Sequence, residues 1–306
     1  MTAIKANSIT IEYEEMGAPD APVILLIMGL GMQLIAWPEP FCQRLAARDF
    51  RIVRFDNRDA GLSTRMASVG SLASTVMMAR AFLGLPVRPP YTLDDMARDT
   101  VGLMDALGIG KAHVVGASMG GMIAQIVAAE HPERVKSLTS IMSSPAPVTP
   151  RPRILRALLR TPPRDEEQAI RQMSAFFRLV GGSKYPPSDV DLRAKVDRSV
   201  RRSYRPDSFA RHLIAIRTAP SRVGTLARVR APTLVLHGSD DPLVPVVGGK
   251  MTAAAIPGAR LRIVPGMGHF LPESLVPLLV DEISEHCRQA EGPAAQKVPT
   301  ALGGTP

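Results

Sequence analysis

Gly116-Ala117-Ser118-Met119-Gly120 stands between the apolar run Ala112-His113-Val114-Val115 and the helical stretch Met122-Ile123-Ala124-Gln125-Ile126-Val127-Ala128-Ala129. A G-x-S-x-G pentapeptide between a short strand and a helix reads as a nucleophile elbow, a strained turn that lifts the serine hydroxyl beyond the sheet edge. Small residues at 116 and 120 let strand and helix approach one another around it. A glycine-rich turn carrying an ordinary serine would look the same over five residues, and the flanking strand and helix separate the two readings. Ser118 is the expected nucleophile.

A serine hydroxyl is a poor nucleophile at neutral pH, so it needs a histidine to take its proton and an acid to orient that histidine. The chain has six histidines. His113 falls inside the strand before the elbow, His131 near the end of the next helix and His212 in a basic helical stretch. His237 ends a later strand, and His286 reads as the polar face of the last helix. His269 differs. It follows the strand-like Ala259-Arg260-Leu261-Arg262-Ile263-Val264 and sits in the turn Pro265-Gly266-Met267-Gly268, where an open α/β sheet places its chemistry.

In sites of this kind the chain order is serine, acid, histidine. The apolar strand Pro232-Thr233-Leu234-Val235-Leu236-His237 ends in Gly238-Ser239-Asp240-Asp241-Pro242, which offers two aspartates. Asp241 is favoured, because its spacing from Gly238 lets the side chain point back toward the histidine loop. Asp240 remains the competitor, and its other role is a turn-capping carboxylate. The oxygen anion of a tetrahedral intermediate needs two amide donors. Met119, after the nucleophile, is one. Leu30, in the turn Met28-Gly29-Leu30-Gly31 after the strand Val23-Ile24-Leu25-Leu26-Ile27, is the other.

Five segments now stand in a fixed order: Leu26 to Gly31, Arg54-Phe55-Asp56-Asn57-Arg58-Asp59-Ala60-Gly61-Leu62-Ser63, Val115 to Gly121, His237 to Pro242, and Pro265 to His269. Together, over about residues 20 to 290, they resemble the α/β-hydrolase superfamily. The sequence around Met28 and Trp37, with Ile256-Pro257-Gly258-Ala259-Arg260-Leu261, is most similar to bacterial carboxylesterases related to aclacinomycin methylesterase. The resemblance implies an α/β-hydrolase fold, ester hydrolysis, no cofactor and a helical cap inserted before the acid strand; no metal site is expected. Met28 stands where most relatives have a histidine. The oxyanion turn is therefore expected to be held by packing rather than by an imidazole hydrogen bond.

Alternating strands near 22–28, 51–56, 111–117, 135–142, 232–237 and 259–264 and intervening helices, among them 93–107 and 119–130, predict a mostly parallel sheet covered on both faces, after an N-terminal hairpin at 4–15. Residues 1–142 and 231–290 form the expected catalytic domain. The strand signal vanishes over 143–230, the expected cap, with helical periodicity near 153–160, 165–180, 188–203 and 207–218. Residues 291–306 are expected to be a disordered tail.

The chain has 306 residues, 45% of them hydrophobic, and a net charge of +9. Residues 151–230 carry 19 Lys and Arg against 7 Asp and Glu, whereas the rest carries 18 against 21. Two readings stay open: a face that attracts anionic substrates or an acidic membrane surface, or solvated arginines whose stems cover apolar surface. Nucleic acid is not an expected partner, since no recognised module accompanies the charge and aromatics are 4%. No stretch is long enough to span a bilayer, and the N-terminus lacks the pattern of a secretory signal. Cys42 and Cys287 lie in expected helices without metal-ligand spacing, which suits a reducing cytoplasm. Met28, Met32, Met119, Met122, Met142 and Met267 fall in or near the loops that converge on Ser118 and suggest an adaptable apolar pocket, with core packing as the other role for Met122 and Met142.

The expected function is a serine carboxylesterase acting on a small-molecule ester, of undetermined oligomeric state. The same triad also serves perhydrolases or haloperoxidases, carbon–carbon bond hydrolases, lactonases and amidases. A non-catalytic binding protein on this scaffold is the remaining alternative.

Overall fold

The computed structural model describes residues 2–68, 70–160 and 163–292. Eight strands form one sheet: β1 (Thr2–Ala6), β2 (Ile9–Met16), β3 (Val23–Ile27), β4 (Arg51–Phe55), β5 (Ala112–Ala117), β6 (Val135–Ile141), β7 (Thr233–Gly238) and β8 (Arg260–Val264), in the order β1-β2-β4-β3-β5-β6-β7-β8. The β1–β2 hairpin is antiparallel, as is the pairing of β2 with β4; β4, β3, β5, β6, β7 and β8 run parallel.

A parallel sheet with both faces covered needs strands that are apolar on both sides. In β3 every residue is buried. Leu25 and Ile27 join one core with Val53, Val114 and helices α3 (Leu93–Ala106) and α4 (Met119–Glu130). Ile24 and Leu26 face the other core with Ile52, Val115, Leu234 and helices α1 (Glu39–Ala46) and α11 (Val276–Glu291). The two-residue period of the strand thus divides one apolar run between two layers.

After β3 the chain moves to β4 on one side and then returns to β5 on the other. The C-terminal ends of β3 and β5 therefore flank the point where the strand order reverses, which is where an open α/β sheet leaves a crevice. The turn 28–31 and Ser118 occupy these two ends.

Between β6 and β7 lie α5 (Pro152–Leu158), α6 (Glu166–Val180), α7 (Asp189–Arg202), α8 (Pro206–Thr218) and α9 (Val223–Leu226); α10 (Val247–Ala255) follows β7. Asp165 caps α6 through the Gln168 N–H, and Ser188 caps α7 through the Asp191 N–H, each satisfying a backbone donor that has no intrahelical acceptor. α6 packs on α7. A helix that the sequence pattern did not suggest, α2 (Ser71–Phe82), packs on α8.

Two corrections concern the C-terminal part. Glu291 belongs to α11 rather than to a tail: its carboxylate meets His113 Nε2 at 2.8 Å and Lys136 Nζ at 2.6 Å. The rest of the expected tail, beyond Gly292, lies outside the described residues. His286 is buried, with Nε2 3.2 Å from the Leu138 carbonyl, and is not on a solvent face.

Candidate active site

Ser118 links β5 to α4 with φ 57° and ψ −119°, a region that a side chain enters only when its surroundings impose it. Its N–H donates to the Ile141 carbonyl (2.9 Å), and its carbonyl accepts from Ser143 Oγ (2.8 Å). The glycines around it are set by contact. A Cβ on Gly120 would lie 2.0 Å from the Ile27 carbonyl oxygen, and one on Gly116 would lie 2.1 Å from that of Gly120.

Loops after β7 and β8 bring the partners. His269 Nε2 is 2.8 Å from Ser118 Oγ, and His269 Nδ1 is 2.6 Å from Asp241 Oδ2. The other oxygen of Asp241 accepts from the N–H groups of Leu243 (2.9 Å) and Val244 (2.8 Å). Both carboxylate oxygens are thus occupied and the side chain is buried, which fixes the carboxylate in orientation. Asp240 is elsewhere: it accepts from the hydroxyls of Ser239 and Ser183, and these two bonds hold its carboxyl below the usual range. His237 donates from Nε2 to the Val244 carbonyl (2.8 Å), and the same nitrogen is 3.7 Å from Asp241 Oδ2.

The chain between β6 and β7 is stitched to the histidine loop. The His269 N–H donates to the Val180 carbonyl (2.6 Å), Ser183 and Lys184 donate to the Gly266 carbonyl, and Gly182 bridges Met267. The backbones meet so closely that a Cβ on Gly268 would lie 2.1 Å from the Val180 oxygen.

The turn expected to hold the second oxyanion donor lies against Ser118, since a Cβ on Gly29 would lie 3.0 Å from Ser118 Cβ. Leu30 follows in that turn. Met119 opens α4 at the N-terminal end, where a backbone N–H has no intrahelical acceptor. Packing does not hold the turn alone. Asn57 Nδ2 donates to the Met28 carbonyl (2.9 Å), the Leu34 N–H donates to Asp56 (2.7 Å), and the Gly31 N–H donates to His212 Nδ1 (3.0 Å). An imidazole therefore does bond this turn, against the expectation from Met28, and it comes from α8. The segment 54–63 announced Asp56 and Asn57 without a role, whereas no signal in the sequence pointed to His212.

The methionines are mostly core. Met28, Met142 and Met267 pack in the layer of Trp37 and Leu279, while Met119 and Met122 pack in the other. Burial pushes the Cys42 and Cys287 thiols up to about 12, so neither is a ready nucleophile at neutral pH. Several arginines between β6 and β7 are neither free nor solvated: Arg202 meets Asp56 at 2.8 Å, Arg211 grips Asp59, and buried Arg222 donates to the Ser144 carbonyl.

The fold and the elbow geometry define a class of hydrolase. The chain belongs to the alpha/beta hydrolase fold family, whose model matches residues 22–274. It is similar to the rhodomycin D methylesterase DauP of Streptomyces sp. (strain C5), 29% identical over 94% of this chain and 98% of that protein, and to the rhodomycin D methylesterase DnrP of Streptomyces peucetius, 28% identical over the same shares. Among solved structures, the enol-lactonase from Burkholderia xenovorans LB400 superposes with a TM-score of 0.73 at 22% identity, over 94% of this chain and all of that one, and shares the fold. No helix among the described residues is long and apolar enough to cross a membrane.

Proposed function

We propose that this chain is a serine carboxylesterase that hydrolyses small to medium carboxylic esters through an acyl-enzyme. The observation that carries the reading is the unbroken contact from Ser118 Oγ through His269 to the buried carboxylate of Asp241. A carboxylate on Nδ1 holds the imidazole in the tautomer that leaves Nε2 free to accept the serine proton. Ser118 Oγ attacks the ester carbonyl as His269 takes its proton, and the carbonyl oxygen becomes an anion held by the N–H groups of Leu30 and Met119. The imidazolium, stabilised by Asp241, then protonates the leaving alcohol. Water, activated by the same imidazole, attacks the acyl-enzyme and releases the acid.

The likeness to two rhodomycin D methylesterases over nearly the whole chain supports an ester and favours a methyl ester. Residues 143–230 act in this reading as a cap over the site. The buried, unpaired Cys42 and Cys287 support a reducing compartment, the cytoplasm.

A panel of p-nitrophenyl esters from acetate to palmitate, with one methyl ester of a bulky acid, tests the substrate class. Ser118→Ala should lower kcat by roughly 10⁴ or more in a folded protein and abolish labelling by a fluorophosphonate. Residual activity above about a tenth of wild type in a folded variant would sink the assignment.

A further inference from the structure

His212 is fully buried on α8, in the segment between β6 and β7, yet it bonds the turn beside Ser118. Its two nitrogens have different partners. The Gly31 N–H can only donate, so Nδ1 carries the lone pair. The Arg58 carbonyl, 2.8 Å from Nε2, can only accept, so Nε2 carries the hydrogen. The ring is therefore neutral and locked in one tautomer. Arg58, Asp59, Arg211 and the edge-on ring of Tyr91 are the titratable groups around it. Burial lowers its affinity for a proton, the Arg58 carbonyl and Asp59 act against this, and Arg211 and Arg58 act with it. The net direction is down, which keeps the ring neutral near pH 7.

Gly31 is an informative place to hold the turn. The Met32 N–H donates to the Gly29 carbonyl at 3.1 Å, so residues 29–32 form a β-turn with Leu30 and Gly31 at its centre. Gly31 has φ +66°, as the third position of a type II turn requires. Types I and II differ by a flip of the central peptide, whose N–H belongs to Gly31. A partner on that N–H selects one orientation. On the other side, Asn57 holds the Met28 carbonyl, so the Leu30 N–H lies between two pinned peptides. The neighbour of His212 is pinned as well: Arg211 grips Asp59 while His212 bonds Arg58, so two successive residues of α8 dock on two successive residues after β4.

We propose that His212 is a positioning residue for the oxyanion turn, fixing the Leu30–Gly31 peptide so that the Leu30 N–H is aimed at the reacting carbonyl oxygen before substrate arrives. This rests on the reading of Leu30 as an oxyanion donor. It also gives α8 a part in the reaction without contact to substrate, and it provides the turn with an imidazole that the sequence at position 28 lacks.

Three variants divide the two bonds. Asn at 212 places an amide oxygen near the position of Nδ1 and keeps an acceptor for Gly31; Gln reaches Arg58 and loses that acceptor; Leu loses both. With p-nitrophenyl butyrate, His212→Gln and His212→Leu should lower kcat roughly 10- to 100-fold with KM within about twofold, whereas His212→Asn should stay within about fivefold of wild type, less than the loss of a whole oxyanion donor. Affinity for a trifluoromethyl ketone, which forms a tetrahedral adduct on the serine, should fall by the same factor as kcat/KM. Wild-type kcat in folded His212→Gln, or equal losses in Asn and Gln variants that follow their thermal midpoints, would overturn the proposal. Should the Gln and Leu variants not fold, ¹⁵N-histidine NMR of the wild type decides: the Nε2–H tautomer with Nδ1 as acceptor is expected throughout the active pH range. An Nδ1–H tautomer, or an imidazolium in active enzyme, overturns it. Fluorophosphonate labelling of Ser118 in the same preparations separates the two levels, because absence of labelling in wild type removes the esterase reading itself.

Discussion

Asp240 and Ser183 share a hydrogen bond that fastens the chain between β6 and β7 to the turn that carries Asp241. Adjacent aspartates therefore have separate tasks: Asp240 faces the helical insertion, and Asp241 faces His269. Asp241→Asn should lower kcat by roughly 10³ to 10⁴, because the imidazolium loses its charged partner and the tautomer lock is disturbed. Asp240→Asn should change kcat by no more than a few fold. The discriminating measurement is kcat for both variants at matched folded fraction, and the reverse ranking would move the acid to Asp240. His237, with Nε2 at 3.7 Å from Asp241, is already engaged by the Val244 carbonyl at 2.8 Å.

Arg211 and Asp59 are almost wholly buried and joined by two parallel hydrogen bonds of 2.7 and 2.9 Å, with Tyr91 Oη donating to the same carboxylate. Burial alone would raise the Asp59 pKa, but the bonds from Arg211, the Met66 N–H and Tyr91 outweigh it and hold the carboxyl low. Removing one charge leaves the other buried without its counter-charge. Asp59→Asn should cost about 3–5 kcal/mol in urea unfolding. Arg211→Met with Asp59→Asn should cost less than the sum of the two single changes. A single-variant loss below about 1 kcal/mol would show that the pair is not sealed from water.

Much of the fold was legible because its signals are local. Val23 to Ile27 is apolar throughout, the elbow is bracketed by glycines, and Gly266 and Gly268 mark the turn before His269. Gly116, Gly120 and Gly268 are fixed by backbone contact and Gly266 by its φ of +78°, and this is why so short a pattern marked the site. What escaped depends on partners distant in sequence. Helix α2 exposes Leu72 and Val76, 77% and 49% accessible, so its apolar residues do not report a core-facing stripe. His212 is separated from Gly31 by 181 residues, and a histidine among arginines gives no hint of a neutral, doubly bonded ring. His286 read as polar-face because its acceptor, the Leu138 carbonyl, is supplied by β6. The methionine cluster misled in the opposite direction: thioethers near active-site loops turned out to fill the layers beneath them.

Four buried histidines set the response to acid. Burial lowers the pKa values of His212, His237 and His286, and takes His113 to about 4 against the pull of Glu291 and with help from Lys136. With a folded-state value below the unfolded one, the unfolded chain binds more protons in the interval between them, so stability falls as pH falls. The urea midpoint should therefore drop from pH 7 to pH 5, ahead of the carboxylates. Asp59 and Glu291, whose own values are lowered, add a further loss below about pH 4. His113→Gln should be less stable at pH 7 and show a shallower slope between pH 6.5 and 5. A midpoint that holds steady or rises over that range would contradict the neutral, buried assignment.

The close approach of α4 to β3 is the most demanding contact at the elbow. A methyl group on Gly120 would meet the carbonyl oxygen of Ile27 at 2.0 Å and its carbon at 2.6 Å, and both belong to the backbone of a central strand. No rotamer relieves that clash, so the start of α4 must move and carry Met119 and Ser118 with it. Gly120→Ala should cost about 3 kcal/mol or more, at the upper end of what overpacking produces, and the folded fraction should label slowly with a fluorophosphonate. Gly110→Ala is the matched control, because a methyl group there meets open space, and its effect should stay within about 0.5 kcal/mol. Chemical unfolding followed by the fluorescence of the buried, single Trp37 reads both variants. Equal stability and equal labelling in the two would mean that the elbow tolerates a wider separation of helix and strand, and the tight packing around Gly120 would then not be what holds the Ser118 hydroxyl in place.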